Sequence, residues 1–226
     1  MKVVVTGGKR GIGTSITAHF EARGHDVVPL SSADLDVTDE AAVNEFFSRA
    51  GDVDVLVNNA GVSFSAPLKR TTLAEWERQF GVNATGAFLC TRAVLEGMRE
   101  RNFGRVVTVA SAASHHGSRY TSGYTASKHA VLGLMRAVAV EVAGTGVTAN
   151  SVCPAYVRSD MTDATVANIQ ARTGREDGEE VLAKMAPLGR LIEPEEVAFA
   201  VAFFAAPEAG SINGQSLIMD GGGIQH

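Results

Sequence analysis

The 226-residue sequence predicts an α/β fold: one doubly wound parallel sheet, forming a single domain over residues 1–226. Three observations predict it. Short apolar runs alternate along the chain with longer segments of helical period. The runs are continuously apolar rather than alternating, as strands covered on both faces are. The length and the 45% apolar content suit one full core.

In order, residues 3–5 open a buried strand, and 14–23 form a helix stopped at Gly24. Residues 26–30 are a second strand, and 40–50 a helix for which Thr38 reads as the cap. A strand at 53–57 precedes one long helix or a broken pair over 73–101. Then follow a strand at 105–110 and a helix at 124–143, with Thr121 or Ser122 as its N-cap. A strand at 147–152, a helix at 195–205 and a strand at 216–219 complete the alternation.

Two stretches break the pattern. Five residues, 31–35, separate the second strand from Asp36, whereas a parallel crossover needs at least about ten to twelve. The connection after the second strand is therefore shortened: a helix, and with it a strand, is expected to be missing there. The polar stretch 161–189 contains Gly174 and Gly178 and sits between a strand end and the last helix. It is expected to form a lid over a substrate site, the alternative being a plain surface excursion.

Composition excludes several classes. A net charge of −5 gives no electrostatic reason to expect nucleic acid or an anionic membrane as partner. No window approaches the eighteen apolar residues of a membrane span, and the three valines after Lys2 are too few for a secretory signal. Cys90 and Cys153 are too few for a disulfide framework or a four-ligand metal site, so both are expected reduced and the compartment cytoplasmic. His115 and His116 lack accompanying acidic ligands, and no metal site is expected.

Chemistry enters at the first turn. The opening strand runs into Thr6-Gly7-Gly8-Lys9-Arg10-Gly11-Ile12-Gly13, and a helix follows. Glycines there let backbone N–H groups approach a pyrophosphate, and the helix N-terminus adds free donors. No G-K-[ST] ending is present, which argues against a P-loop. Tyr124 and Lys128 stand four residues apart and share one helical face. An ammonium beside a phenol favours phenolate, so the tyrosine is expected to titrate below its usual value of about 10 and to serve in acid–base chemistry. Ser111 ends a strand thirteen residues before Tyr124, and Asn58-Asn59-Ala60-Gly61 ends another, where open α/β sheets bind ligands. Asn83, flanked by Gly81 and Gly86, marks a local helix distortion. Tyr156 either shapes the substrate site or packs against 161–189.

Taken together, T-G-x-x-x-G-I-G, D-V-T-D, N-N-A-G, N-x-x-G, S-x₁₂-Y-x-x-x-K and a proline after the sixth strand resemble the short-chain dehydrogenase/reductase family over nearly the whole chain. The resemblance implies a Rossmann-like sheet and a catalytic tetrad of Asn83, Ser111, Tyr124 and Lys128. Tyr124 would be the general acid in reduction, Ser111 would hold the substrate oxygen, Lys128 would hold the nicotinamide ribose, and Asn83 would anchor a water. The cofactor would be lined by Thr6, Gly7, Lys9, Arg10, Gly11, Ile12 and Gly13, by Asp36 and Val37, by Asn59, Ala60 and Gly61, by Tyr124 and Lys128, and by Pro154, Val157 and Ser159. The implied reaction is hydride transfer between a nicotinamide dinucleotide and a ketone or secondary alcohol. The run around Pro154, Pro187 and Pro194 is similar to 3-oxoacyl thioester and polyketide ketoreductases. Alternatives are an epimerase or dehydratase, disfavoured because only 72 residues follow Pro154, and a non-catalytic dinucleotide sensor. Ala155 stands where glycine is usual, a departure near the nicotinamide.

Cofactor choice turns on the end of the second strand, where a carboxylate selects NAD(H) by binding the ribose 2′-hydroxyl. Ser31 and Ser32 stand there, eighteen and nineteen residues after Gly13. With Lys9 and Arg10 in the loop, NADP(H) is expected over NAD(H), against the nearby Asp34 and Asp36. Small residues Ala126, Ala130, Gly133 and Ala137 on the helix 124–143 fit a homodimer or homotetramer built through that helix and 73–101.

Overall fold

A computed structural model describes residues 1–174 and 176–225. Its strands are β1 (Lys2–Thr6), β2 (Asp26–Leu30), β3 (Val55–Asn58), β4 (Gly104–Val109), β5 (Val147–Pro154) and β6 (Ser216–Met219). Its α-helices are α1 (Ile12–Glu21), α2 (Glu40–Ala50), α3 (Leu73–Phe80), α4 (Gly86–Glu100), α5 (Ser122–Glu141), α6 (Asp160–Thr173), α7 (Gly178–Lys184) and α8 (Pro194–Ala205). All pairings are parallel, in the order β2-β1-β3-β4-β5-β6. This is the doubly wound Rossmann-like order with its third strand removed.

The missing piece lies where five residues could not span a crossover. Residues 31–35 fold into a turn closed by Asp34 and Leu35 N–H groups on the Ser31 carbonyl, both at 3.1 Å. Leu35 and Val37 are buried and anchor the connection to the core. Strand β2 thus borders the sheet, and Pro29 within it removes one N–H from the open edge.

Alternate strand residues feed two cores. Val4, Leu56 and Val106 pack with Phe47 of α2, Val94 of α4 and Met135 of α5. Val3, Val5, Val55, Val57 and Val107 pack with Ile16 and Phe20 of α1 and with Val201 and Phe204 of α8. The sheet is therefore covered on both faces, and its strand ends after Thr6, Asn58, Val109 and Pro154 open on one side.

Several boundaries differ from the sequence reading. Helix α1 starts at Ile12 because Gly11, at φ 52°, is its N-cap. Asp39 rather than Thr38 caps α2, accepting from Ala41 and Ala42 N–H. The 73–101 segment is a pair of helices joined by a π-helical turn at Gly81–Thr85. The stretch 161–189 is largely helical, as α6 and α7, although Arg175 lies outside the described residues. Its signal was Ser159, which accepts the Thr162 N–H, with Asp160 and Asp163 in the first turn.

Candidate active site

The glycine loop is braced from behind. The Thr6 hydroxyl accepts the N–H groups of Asn59 (3.0 Å) and Ala60 (3.1 Å) and donates to the Val57 carbonyl. The Asn59 amide donates to the Thr6 and Gly7 carbonyls at 3.0 and 3.1 Å. These two residues therefore hold the shape of the cradle. Bareness is obligatory within it: a Cβ on Gly13 would lie 2.0 Å from the Gly7 oxygen, and one on Gly8 would lie 2.9 Å from Pro29. Gly11 is different. Its nearest neighbour across the groove is the Ser159 Cβ, 3.9 Å from where a side chain would begin. The first-turn N–H groups of Ile12 and Gly13 face this groove end of α1 without helical partners. Bare loop, free donors and open groove fit a dinucleotide pyrophosphate.

The second cluster lies along the ends of β3, β4 and β5. Ser111 is buried, and its Oγ accepts the Ala113 N–H at 3.1 Å. Its hydroxyl is also hydrogen-bonded to the Tyr124 phenol. Lys128 Nζ lies 5.8 Å from the centroid of the Tyr124 ring and donates to the Val109 carbonyl at 3.0 Å. A side chain on Gly61 would begin 3.7 Å from that ammonium and 3.4 Å from Asn83 Oδ1. The absent Cβ leaves room beside Lys128 for a ribose.

The electrostatics depart from expectation. Burial raises the Tyr124 phenol above its usual value, with Tyr156 and Cys153 adding to the rise, and the Ser111 hydrogen bond opposes it. The nearby ammonium does not prevail, because Lys128 is itself buried and pulled down to about 8 by desolvation. Tyr156, whose role the sequence left open, sits with Tyr124 closely enough to raise it; its own phenol is raised by burial. Cys153 was read as a plain core residue. It underlies the cluster, taking a hydrogen bond from the Ser111 backbone and raised by burial to about 11.

The Asn83 side chain is fully occupied. Its Oδ1 accepts Val62 N–H at 2.8 Å, and its Nδ2 donates to Val62 O and Ser127 Oγ, each at 2.9 Å. Ser127 in turn donates to the Tyr124 carbonyl at 2.8 Å. Asn83 thus ties the loop after β3 to the helix carrying Tyr124, and a water must use the carbonyls that the π turn releases.

The remaining predicted residues divide. Val37 is buried against Gly86. The Asp36 carboxylate turns to Thr38, accepting its N–H at 2.9 Å and its hydroxyl at 2.7 Å. Pro154 ends β5, Val157 bridges to Ile192, and Ser159 caps α6 over the glycine loop. Ala155 keeps an ordinary backbone, its N–H on the Met219 carbonyl at 2.9 Å, so glycine is not required there. Arg10 is exposed, with no side-chain partner among the described residues, and Ser31 and Lys9 both hold Asp34. His116 is exposed, and no group of three metal-ligating side chains converges among the described residues.

Known proteins share this arrangement. The family model described as enoyl-(acyl carrier protein) reductase matches residues 30–223. The chain is 36% identical over 241 residues to the 3-oxoacyl-[acyl-carrier-protein] reductase FabG of Vibrio cholerae serotype O1, covering 97% of this chain and 95% of that one. It is 34% identical over 240 residues to an acetoacetyl-CoA reductase of Rhizobium meliloti, covering 97% and 96%. The solved structure of ElxO with NADP bound superposes with a TM-score of 0.87 at 28% identity, covering 98% and 97%. The chain therefore belongs to the short-chain dehydrogenase/reductase family of oxidoreductases.

Proposed function

We propose that this protein reduces the ketone of a 3-oxoacyl thioester to the secondary alcohol, with NADP(H) favoured over NAD(H). The observation that carries this reading is the Tyr124 phenol hydrogen-bonded to Ser111 above the Lys128 ammonium. The acyl thioester follows from the relatives named for 3-oxoacyl and acetoacetyl substrates. The structural neighbour holding NADP supports the cofactor. Gly7, Gly11, Ile12 and Gly13 would hold the pyrophosphate, Lys9, Arg10 and Ser31 the 2′-phosphate, and Lys128 the nicotinamide ribose. The cofactor, when bound, supplies hydride to the carbonyl carbon, and its oxidised ring is a cation that favours phenolate.

The chain supplies the proton. The Tyr124 phenol donates it to the carbonyl oxygen, while the Ser111 hydroxyl turns from the phenol to hydrogen-bond the same oxygen. Raising of the phenol by burial keeps it protonated and ready to act as an acid. Lys128 stabilises the phenolate left behind, and Asn83 fixes the helix register that brings Tyr124 to Ser111. Tyr156 lines the substrate side. Helices α6 and α7 form the lid, tethered by Arg158 to Glu179 (2.9 Å) and Glu193 (3.3 Å).

Two exposed apolar faces support a homodimer or homotetramer. One is α5, with Ala130, Gly133, Ala137 and Val140, beside Phe88 of α4. The other joins Phe199 and Phe203 of α8 to Leu217 of β6. No described helix is long and apolar enough to cross a membrane, which fits a cytoplasmic enzyme.

The test is oxidation of NADPH by acetoacetyl-CoA, followed at 340 nm, in wild type and Tyr124→Phe. General acid catalysis is worth about 10²–10⁴-fold, and a loss of that size with dinucleotide affinity retained is expected. Retention of half the wild-type kcat would refute the assignment. Tight dinucleotide binding without turnover of any ketone would favour a sensor.

A further inference from the structure

The corner of the site nearest the second strand is occupied in a way the sequence did not reveal. The Gly8 N–H donates to the Leu30 carbonyl at 2.8 Å, stitching the glycine loop to the end of β2. This brings Lys9 to Asp34, 25 residues away in sequence, with Nζ at 2.9 Å from Oδ1. The other carboxylate oxygen accepts both the Ser31 N–H, at 2.7 Å, and the Ser31 hydroxyl. The Ser31 hydroxyl, then Lys9 and the Ser31 N–H, hold the Asp34 carboxyl well below the usual range. The shortened connection is what makes this possible: a full crossover would carry the chain away from β2, whereas the turn 31–35 folds Asp34 back onto it. Asp36, also acidic, is engaged with Thr38 instead.

Resting on the NADP(H) reading above, we propose that Asp34 is the residue that sets dinucleotide selectivity. Its carboxylate occupies two of the three groups suited to a 2′-phosphate, Lys9 and Ser31, and leaves only Arg10 without a partner among the described residues. A phosphate monoester carries about −1.5 to −2 charges at neutral pH, so Asp34 opposes it both by repulsion and by withholding those donors. Toward a 2′-hydroxyl the same carboxylate is an acceptor, and it binds NAD(H). Preference for NADP(H) in this chain is accordingly narrow, resting on Arg10 against Asp34.

Equilibrium titration of the purified protein with NADP⁺ and with NAD⁺, read by calorimetry, tests this without catalysis. Asp34→Asn keeps an oxygen for the Ser31 N–H and so preserves the turn. It should bind NADP⁺ at least about tenfold more tightly, equivalent to about 1.4 kcal/mol, and NAD⁺ several-fold more weakly. Lys9→Met should change NADP⁺ affinity little in the wild-type background and remove the gain in the Asp34→Asn background, a coupling that a structural role for Asp34 would not produce. Asp34→Ser, with unchanged thermal unfolding, serves where the asparagine variant folds poorly. Unchanged or weakened NADP⁺ binding in a folded Asp34 variant overturns this inference and leaves the ketoreductase reading standing. Failure of wild type to bind either dinucleotide overturns both.

Discussion

At Lys128 burial and charge oppose one another, and the balance can be read in stability. Its folded-state value is drawn down to about 8 from an ordinary 10.5 because the ammonium is desolvated. Below pH 8 both folded and unfolded chains hold the proton, and the full penalty of a buried charge is present. Between about pH 8 and 10.5 the unfolded chain binds more protons than the folded one, so stability rises with pH. The raised tyrosines act in the opposite sense near and above their ordinary value of 10. Urea unfolding at pH 7.5 and 9.5 therefore isolates the lysine. Wild type should gain on the order of 1–2 kcal/mol over that interval relative to Lys128→Met. Parallel profiles for the two proteins would mean that the ammonium is better solvated than its surroundings imply.

At the scale of elements, α5 carries two loads. Its inner face holds Ser127, Lys128, Val131, Met135 and Val138 in the protein, while Ala130, Gly133, Ala137 and Val140 face outward. Val140 is 78% exposed, which is wasteful for an apolar side chain unless another surface covers it. Nothing lies within 4 Å of a side chain built on Gly133, so a large residue there meets no resistance within one copy of the chain. Gly133→Arg should leave the folded monomer intact, since arginine is the better helix former by about 0.5–1 kcal/mol, yet block close approach of a second α5. Light scattering at micromolar concentration should then report a smaller assembly than wild type. An unchanged mass would place the interface elsewhere, the α8–β6 face being the next surface to vary.

For the molecule as a whole, the functional end of the sheet is balanced by a fixed opposite end. Arg105, 3% exposed in β4, donates to the carbonyls of Gly104, Gly146, Ala206 and Pro207 and lies 4.7 Å from the Phe103 ring centroid. No carboxylate appears among these partners. The guanidinium instead collects the negative carbonyl ends where α8 stops and β5 begins, linking strand to covering helix. Arg105→Met would leave those carbonyls buried without donors, at a cost of about 3–5 kcal/mol. Denaturant midpoints should fall accordingly while dinucleotide affinity, measured well below the transition, stays within about twofold. A loss under 1 kcal/mol would show that water replaces the guanidinium.

What the sequence by itself determined is what depends on neighbours along the chain. Apolar runs and helical period gave the strands and most helices, because burial imposes periods of 2 and 3.6 on contiguous residues. The five-residue gap at 31–35 excluded a crossover by length alone, and the sheet does lack that strand. Tyr124 and Lys128 were legible as a pair because both stand on one helix, and the glycine loop because it joins one strand to one helix. Tertiary structure decided what depends on contacts across the chain. Asn83 and Val62, Thr6 and Asn59, and Lys9 and Asp34 meet only after the strands align. Hence the Asn83 amide serves as a brace, Tyr156 joins Tyr124, and the phenol is raised rather than lowered. Desolvation and hydrogen bonding act through space, and neither has a period that a linear sequence can display.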